Sequence, residues 1–404
     1  MEKHYDAVGA GPEPSKDGPG GLRGKIRERI KKYVIFLVIL FVAITKPFKF
    51  LHKRYPYKLR ELARSWDAKM LWTFVFSRGK RVWMDQNCYM PDPPSFKPLI
   101  KTRKEWQFTE AQIRQFYQDG FIGPIDLWTP EEMVEIRRRV DSVMERPSKV
   151  YPTAQNQYRD RYIDAPEFWE VISMPQLSER LAQLLGPDLM VWRSQIFNKK
   201  SGDPEITWHQ ASTYMAEQRL KATLEPQNLN ELFQLTTWIA IDDAYFENGC
   251  MHFLKGTHRK MWSMHKGGSG FIGNPPELAK LIGGQGRFAK ASGLTLEVPI
   301  TEDMIARMPL KSGQAVIFTE RCIHGSPPNN SPNRRFGFVF RTIKTDVQVY
   351  REESIHEVTY LREKYNLNNW GCALLRGEDK HHLNRMIQPP TYGQAELVAT
   401  SSSK

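Results

Sequence analysis

Hydrophobic and polar positions divide the chain into an apolar helical segment near its start and a long mixed region after it. Residues 1–22 hold Gly, Pro and small polar residues, end in Gly18-Pro19-Gly20-Gly21, and predict a disordered leader. The first sustained apolar stretch is Tyr33 to Thr45, thirteen residues without a charge. Thirteen helical residues rise only about 20 Å, short of the ~30 Å hydrocarbon core of a bilayer. The stretch follows Lys25-Ile26-Arg27-Glu28-Arg29-Ile30-Lys31-Lys32 and precedes Lys46, Lys49, Lys53 and Arg54. Long cationic side chains snorkel, and Phe48, Phe50 and Leu51 extend the apolar surface, so residues 23–55 read as a basic membrane-anchoring helix that crosses or lies in one leaflet. A buried core helix is the competing reading. A cleaved signal peptide is disfavoured because the charged region before the apolar run is too long.

Residues 56–104 form a linker and amphipathic region, with apolar positions through Leu59 to Phe76 and the breaker Met90-Pro91-Asp92-Pro93-Pro94. Residues 105–385 have the pattern of one mixed domain, and 386–404 form a tail. Thr109 is placed to cap a helix beginning at Glu110, and Thr129-Pro130-Glu131-Glu132 opens a second, running to about Met144, with proline at its first position. After Pro187 the chain changes to strand-like runs: Leu189–Phe197, Gln234–Ile241, His252–Leu254, Ala315–Phe318 and Phe336–Tyr350. Such runs, separated by Gly, Asn and Pro turns, predict an antiparallel double sheet or jelly roll with helices packed outside.

The chain carries a net +13, and residues 1–60 account for +9 of it, with 14 Lys and Arg against five Asp and Glu. A basic block beside an apolar run points to anionic lipid headgroups; no zinc-finger or RNA-recognition motif supports a nucleic-acid partner. Cys88, Cys250, Cys322 and Cys372 form no CxxC pair, which fits a reducing compartment and excludes a zinc cluster built on such pairs.

Candidate chemistry begins with histidine. His209 follows an apolar segment, and His324 follows the strand-like Ala315-Val316-Ile317-Phe318. A lone histidine is ordinarily a hydrogen-bonded core or surface residue. The chain has ten, His252 and His258 lie close together, and Asp242 with Asp243 offer carboxylates, so spacing alone selects no site.

Four ordered blocks select one: Trp208-His209-Gln210-Ala211, Trp238 to Asp243, Glu247 to His258, and His324-Gly325-Ser326-Pro327-Pro328-Asn329. Together they resemble the phytanoyl-CoA dioxygenase superfamily over roughly residues 105–350. The resemblance implies a mixed α/β fold dominated by β: a double-stranded β-helix, jelly-roll and cupin-like, with flanking helices, binding Fe(II) and 2-oxoglutarate. Hydroxylases of that superfamily carry Asp two residues after the first histidine. This chain has Ala211 there, and with Arg335-Phe336-Gly337-Phe338-Val339-Phe340-Arg341 it is similar to the syringomycin-type chlorinating enzymes.

Carried over by position, the resemblance makes His209 and His324 the iron ligands and Ala211 the vacated carboxylate position that takes chloride. Arg335, eleven residues after His324, would pair with the distal carboxylate of 2-oxoglutarate, a role suited to a planar guanidinium. Thr236 and Trp238 match positions that hold the cosubstrate, and Arg341 matches an arginine near the halide; a solvated strand charge is its ordinary alternative. Glu320, four residues before His324, departs from the pattern, and it either pairs with Arg321 or replaces the missing carboxylate. Asp242 and Asp243 read as turn residues or outer supports.

The expected activity is chlorination of an unactivated aliphatic carbon with Fe(II), 2-oxoglutarate, chloride and O2. The N-terminus favours a fatty acyl or other lipid substrate over a carrier-tethered acyl group, and a catalytic domain on the cytoplasmic side of a membrane. The alternatives are a lipid hydroxylase using Glu320 or another carboxylate, and a catalytically silent membrane-anchored binding protein.

Overall fold

The computed structural model describes residues 22–56, 59–60, 62–63, 66–79, 81–82, 86–87, 103–154, 157–210, 223–225, 231–262, 264–266, 294–296, 298, 300–350, 356–360 and 363–392. It divides into two compact units, Met1–Trp83 and Met84–Lys404. The expected leader, the tail beyond Tyr392, Cys88 and Ala211 lie outside the described residues.

In the first unit, helix α1 (Leu22–Thr45) packs against α2 (Ala68–Phe76). Helix α1 stops at Thr45 because Lys46 precedes Pro47, and a residue before proline is disfavoured in the α conformation. The continuous anchor expected to reach residue 55 is therefore one helix plus a single turn, Lys49–His52. Ile39, Val42 and Ala43 are buried with Tyr55, Leu62, Ala63, Trp66, Met70 and Leu71. Lys46 is turned inward: its Nζ donates to the Trp66 carbonyl at 2.7 Å and also to that of Ala63. Asp67 caps α2, accepting from the Met70 amide at 2.8 Å. No helix among the described residues is long and apolar enough to cross a membrane. The apolar run serves two purposes, since Tyr33, Val34, Ile35, Leu37, Phe41 and Ile44 remain exposed.

The second unit is built on two antiparallel sheets. The strands are β1 (Phe121–Asp126), β2 (Leu189–Lys199), β3 (Ile206–His209), β4 (Gln234–Ala240), β5 (Met251–Leu254), β6 (Ile305–Met308), β7 (Gln314–Thr319), β8 (His324–Ser326), β9 (Arg335–Lys344) and β10 (Ala373–Arg376). The larger sheet has the order β10-β2-β9-β4-β7-β1, and the smaller β6-β5-β8-β3. Side chains alternate across a strand, so each strand of the larger sheet serves two layers. Leu235, Ile239, Ala315, Ile317, Phe336, Phe338 and Phe340 face a helical layer. That layer is α3 (Glu110–Asp119), α4 (Pro130–Met144), α5 (Pro166–Ser173) and α6 (Pro175–Leu185). Trp238, Val316, Phe318 and Val339 point the other way, into a core shared with Met251, Phe253 and Met308 of the smaller sheet. Strands covered on both faces read as continuous apolar runs, which is why Ala315–Phe318 and Phe336–Phe340 look uninterrupted in the sequence.

Local sequence sets the helix starts as expected. Thr109 with Gln112, and Thr129 with Glu132, form reciprocal capping boxes, and Pro130 occupies the first turn of α4. Asp242 is ion-paired with Arg137 and Arg334, and Asp243 accepts from the Ser312 amide, so both serve the turn after β4. A sheet-rich α/β fold of the jelly-roll kind is thus observed.

Candidate metal and cosubstrate centre

Strands β3 and β8 pair so that His209 and His324 are directly opposite. Opposed residues in an antiparallel ladder share a face, and the two imidazole centroids are 4.3 Å apart. The register is held from outside the site by Gln210, whose side-chain amide donates to the Lys260 and Arg321 carbonyls at 2.7 Å each. Its oxygen accepts from the Trp262 amide at 3.1 Å. This strap is a feature that sequence reasoning missed; its one signal is a polar residue immediately after the candidate ligand.

His324 is buried against Phe318, at 4.7 Å between centroids, and Phe253, at 6.1 Å. Burial first, and then the neighbouring His209, press its pKa well below the ordinary imidazole range. Its Nδ1–H donates to the Cys322 carbonyl at 2.8 Å, which leaves the Nε2 lone pair free for a metal.

The candidate cosubstrate residues occupy the inward face of the larger sheet. Register places Phe318, Thr236 and Arg341 in one row across β7, β4 and β9, with Val316, Trp238 and Val339 in the row beside it. Arg335 lies at the start of β9 on the same face and is 1% exposed. Its Nη1 donates to the Gly249 carbonyl and its guanidinium carbon is 5.6 Å from the Trp238 ring centroid, while Nε is buried without a partner. Thr236 Oγ1 is likewise buried and unpaired. Burial lowers the Arg335 pKa to about 10, and no carboxylate pairs with it among the described residues. A buried guanidinium with an unused donor calls for an anion, and a carboxylate supplies the matching planar acceptor.

Two glycines make room for this arrangement. Gly249 has φ +78°, and a Cβ there would sit 2.4 Å from the Pro327 carbonyl oxygen, so the turn that presents its own carbonyl to Arg335 excludes other side chains. At Gly337 a Cβ would lie 2.3 Å from the Trp238 indole, which rests on the bare backbone.

Lys199, which the sequence pattern does not single out, is also buried here, opposite Arg335 in register. Its Nζ donates to Ser326 Oγ at 3.0 Å and to the Pro327 carbonyl. Burial, and then Arg335, bring its pKa to about 7. In the sequence it is one of two lysines at the end of a strand, and nothing distinguishes it from a solvated one.

Arg341 is half-buried, with its guanidinium carbon 5.8 Å from the Trp192 centroid, and its charge is felt at His324. Glu320 is buried in the turn that follows β7. It accepts from Thr319 Oγ1 at 3.1 Å and from Arg321 Nε at 3.2 Å, the first of the two roles open to it from sequence. Burial raises its pKa, against the opposing pull of Arg321. Among the described residues no three His, Cys, Asp or Glu side chains converge as a metal set. Two imidazoles side by side, with an unsatisfied buried guanidinium and hydroxyl on the inward face of the larger sheet, fit a divalent metal and a dicarboxylate.

The family model for phytanoyl-CoA dioxygenase (PhyH) matches residues 116–337. Among curated proteins, "Phytanoyl-CoA dioxygenase domain-containing protein 1" of Danio rerio is 23% identical over 196 residues, covering 48% of this chain and 58% of the relative. The protein of the same name from Mus musculus is 24% identical over 179 residues, covering 42% and 50%. The chain therefore spans between half and three fifths of the length of these relatives. Among solved structures, CytC3 with Fe(II) and alpha-ketoglutarate is 26% identical, with 70% of this chain and 94% of that chain covered and a TM-score of 0.54.

Proposed function

The chain belongs to the phytanoyl-CoA dioxygenase family of Fe(II)- and 2-oxoglutarate-dependent oxygenases, and we propose that it is a halogenase, transferring chlorine to an unactivated aliphatic carbon. The observation that carries this reading is the donor set. His209 and His324 are paired across two strands, the residue two places after His209 is Ala211, and no acidic side chain joins the two histidines among the described residues. A two-histidine, one-carboxylate face is the ordinary arrangement for this iron chemistry, and a methyl group cannot complete it.

His209 and His324 would hold the metal through neutral ring nitrogens, with the Cys322 carbonyl fixing the His324 tautomer. Arg335 would take the distal carboxylate of the cosubstrate, Trp238 would wall its chain, and Thr236 would hydrogen-bond to it. Iron and 2-oxoglutarate supply, when bound, the oxidation by O2 that breaks the substrate C–H bond. Ala211, offering no oxygen donor, would leave room at such a metal for an external anion, and Arg341, whose charge reaches His324, would favour a halide there.

Supporting a fatty acyl or other lipid substrate is the exposed apolar surface of α1, which would keep an enzyme near long aliphatic chains. Three buried free thiols, Cys250, Cys322 and Cys372, support a reducing, cytoplasmic setting. The hydroxylase alternative through Glu320 is disfavoured, because that carboxylate is engaged by Thr319 and Arg321. A silent binding protein has no physical need for two apposed imidazoles and an unsatisfied buried arginine.

Anaerobic reconstitution with Fe(II), 2-oxoglutarate and chloride, then exposure to O2 and mass spectrometry of a lipid extract, should give products with the chlorine isotope pattern. Ala211→Asp should abolish chlorination, at best returning hydroxylation. Alcohol as the sole product at saturating chloride would refute the halogenase reading.

A further inference from the structure

We propose that the exposed apolar face of α1 docks into the interface of an anionic phospholipid bilayer, with the helix lying along one leaflet. Ile30, Tyr33, Leu37, Phe41 and Ile44 recur at helical spacing and are between 49% and 71% exposed, and Phe48 continues the surface beyond the helix end. A contiguous stripe of large apolar side chains in water marks a contact surface. Exposed cations stand at both ends: Arg27, Arg29 and Lys32 before the uncharged run, and Lys49, Lys53 and Arg54 after it. Residues 22–54 contain one acidic residue, Glu28.

The charge pattern chooses the occupant. A second copy laid on this face would bring cations against cations, whereas a layer of anionic headgroups around an apolar interior complements both features. The packing chooses the orientation. Ile39, Val42 and Ala43 are already buried, and the inward Lys46 ties the end of α1 to the Ala63 and Trp66 carbonyls. Crossing the bilayer would draw that polar backbone and its ammonium into hydrocarbon, while lying in the plane leaves them on the water side.

The test is flotation of the full chain with vesicles of phosphatidylcholine alone or mixed with phosphatidylserine. The chain should float with the mixed vesicles and much less with the neutral ones. Lys53→Gln and Arg54→Gln should each weaken partitioning by about fivefold, the effect of one surface cation. Leu37→Asp with Phe41→Asp should abolish flotation while thermal unfolding of the remainder, followed by circular dichroism, is unchanged. For depth, a nitroxide on Leu37→Cys in a Cys88→Ser background should read near the headgroups, as should one on Tyr33→Cys. Failure to float with anionic vesicles, concentration-dependent dimerisation through this face in their place, or a Leu37 label at the bilayer centre would each overturn the proposal.

Discussion

Individual residues carry the sharpest consequences at the candidate cosubstrate face. Arg335 has an unpaired Nε and one bond to a backbone carbonyl, so its planar fork is available to a carboxylate. Arg335→Lys keeps charge but loses the fork, and anaerobic calorimetry should show 2-oxoglutarate binding weakened by roughly 10- to 100-fold, the worth of one charge-assisted hydrogen bond. Unchanged affinity would remove Arg335 from the site. Gly337→Ala drives a methyl group to 2.3 Å from Trp238. The indole must then leave its slot, and overpacking of this kind should lower stability by about 1–3 kcal/mol in denaturant titrations. At this scale the sequence was legible for the place of Arg335, buried on the inward face with a donor to spare, while Ala211 lies outside the described residues. Lys199 and Gln210 were illegible because their importance comes from partners on other strands.

Elements were readable where local chemistry decides. The capping boxes at Thr109 and Thr129 need only residues three apart, and both helices start where the caps require. Strand β8 is the counterexample: three residues long, it owes its extended form to neighbours β3 and β5 and leaves no periodic trace. The short helical turn after β5 holds His258, buried with Nε2–H donating to the Tyr117 carbonyl of α3 at 3.0 Å. Burial lowers its pKa from 6.5 to about 4. The unfolded chain therefore binds a proton between pH 6.5 and 4 that the folded chain refuses, so stability rises with pH across that window and is flat below it. His258→Gln, which retains a donor, should remove about 3 kcal/mol of acid sensitivity between pH 6.5 and 4, read from urea midpoints. Equal slopes for both proteins would show that the ring is accessible to protons in the native state.

At the scale of the whole molecule, the double sheet was legible as a class of fold, because runs buried on both faces and turn residues recur through residues 189–344. The sheet order was not, since it depends on pairings such as β9 with both β2 and β4 that no local pattern records. The N-terminal run was half legible: its apolar character was plain, but the division into an internal and an exposed side appears only once α2 is placed against it. The three thiols described are buried and apart, so four free thiols should titrate in denaturant, and reductant should leave the unfolding midpoint unmoved. A shift in that midpoint would indicate a disulfide and a different compartment.

The opposition of His209 and His324 on a terminal strand reaches beyond ligation. Strand β3 has four residues and lies at the end of its sheet, bonded to β8 alone among the neighbours in that sheet. A slip of one residue would swing His209 outward and bring Trp208 in its place. A metal ion held by both rings would pin the alignment like a rivet, so loading the centre would also fasten a margin of the protein, and losing the ion would loosen architecture and chemistry together.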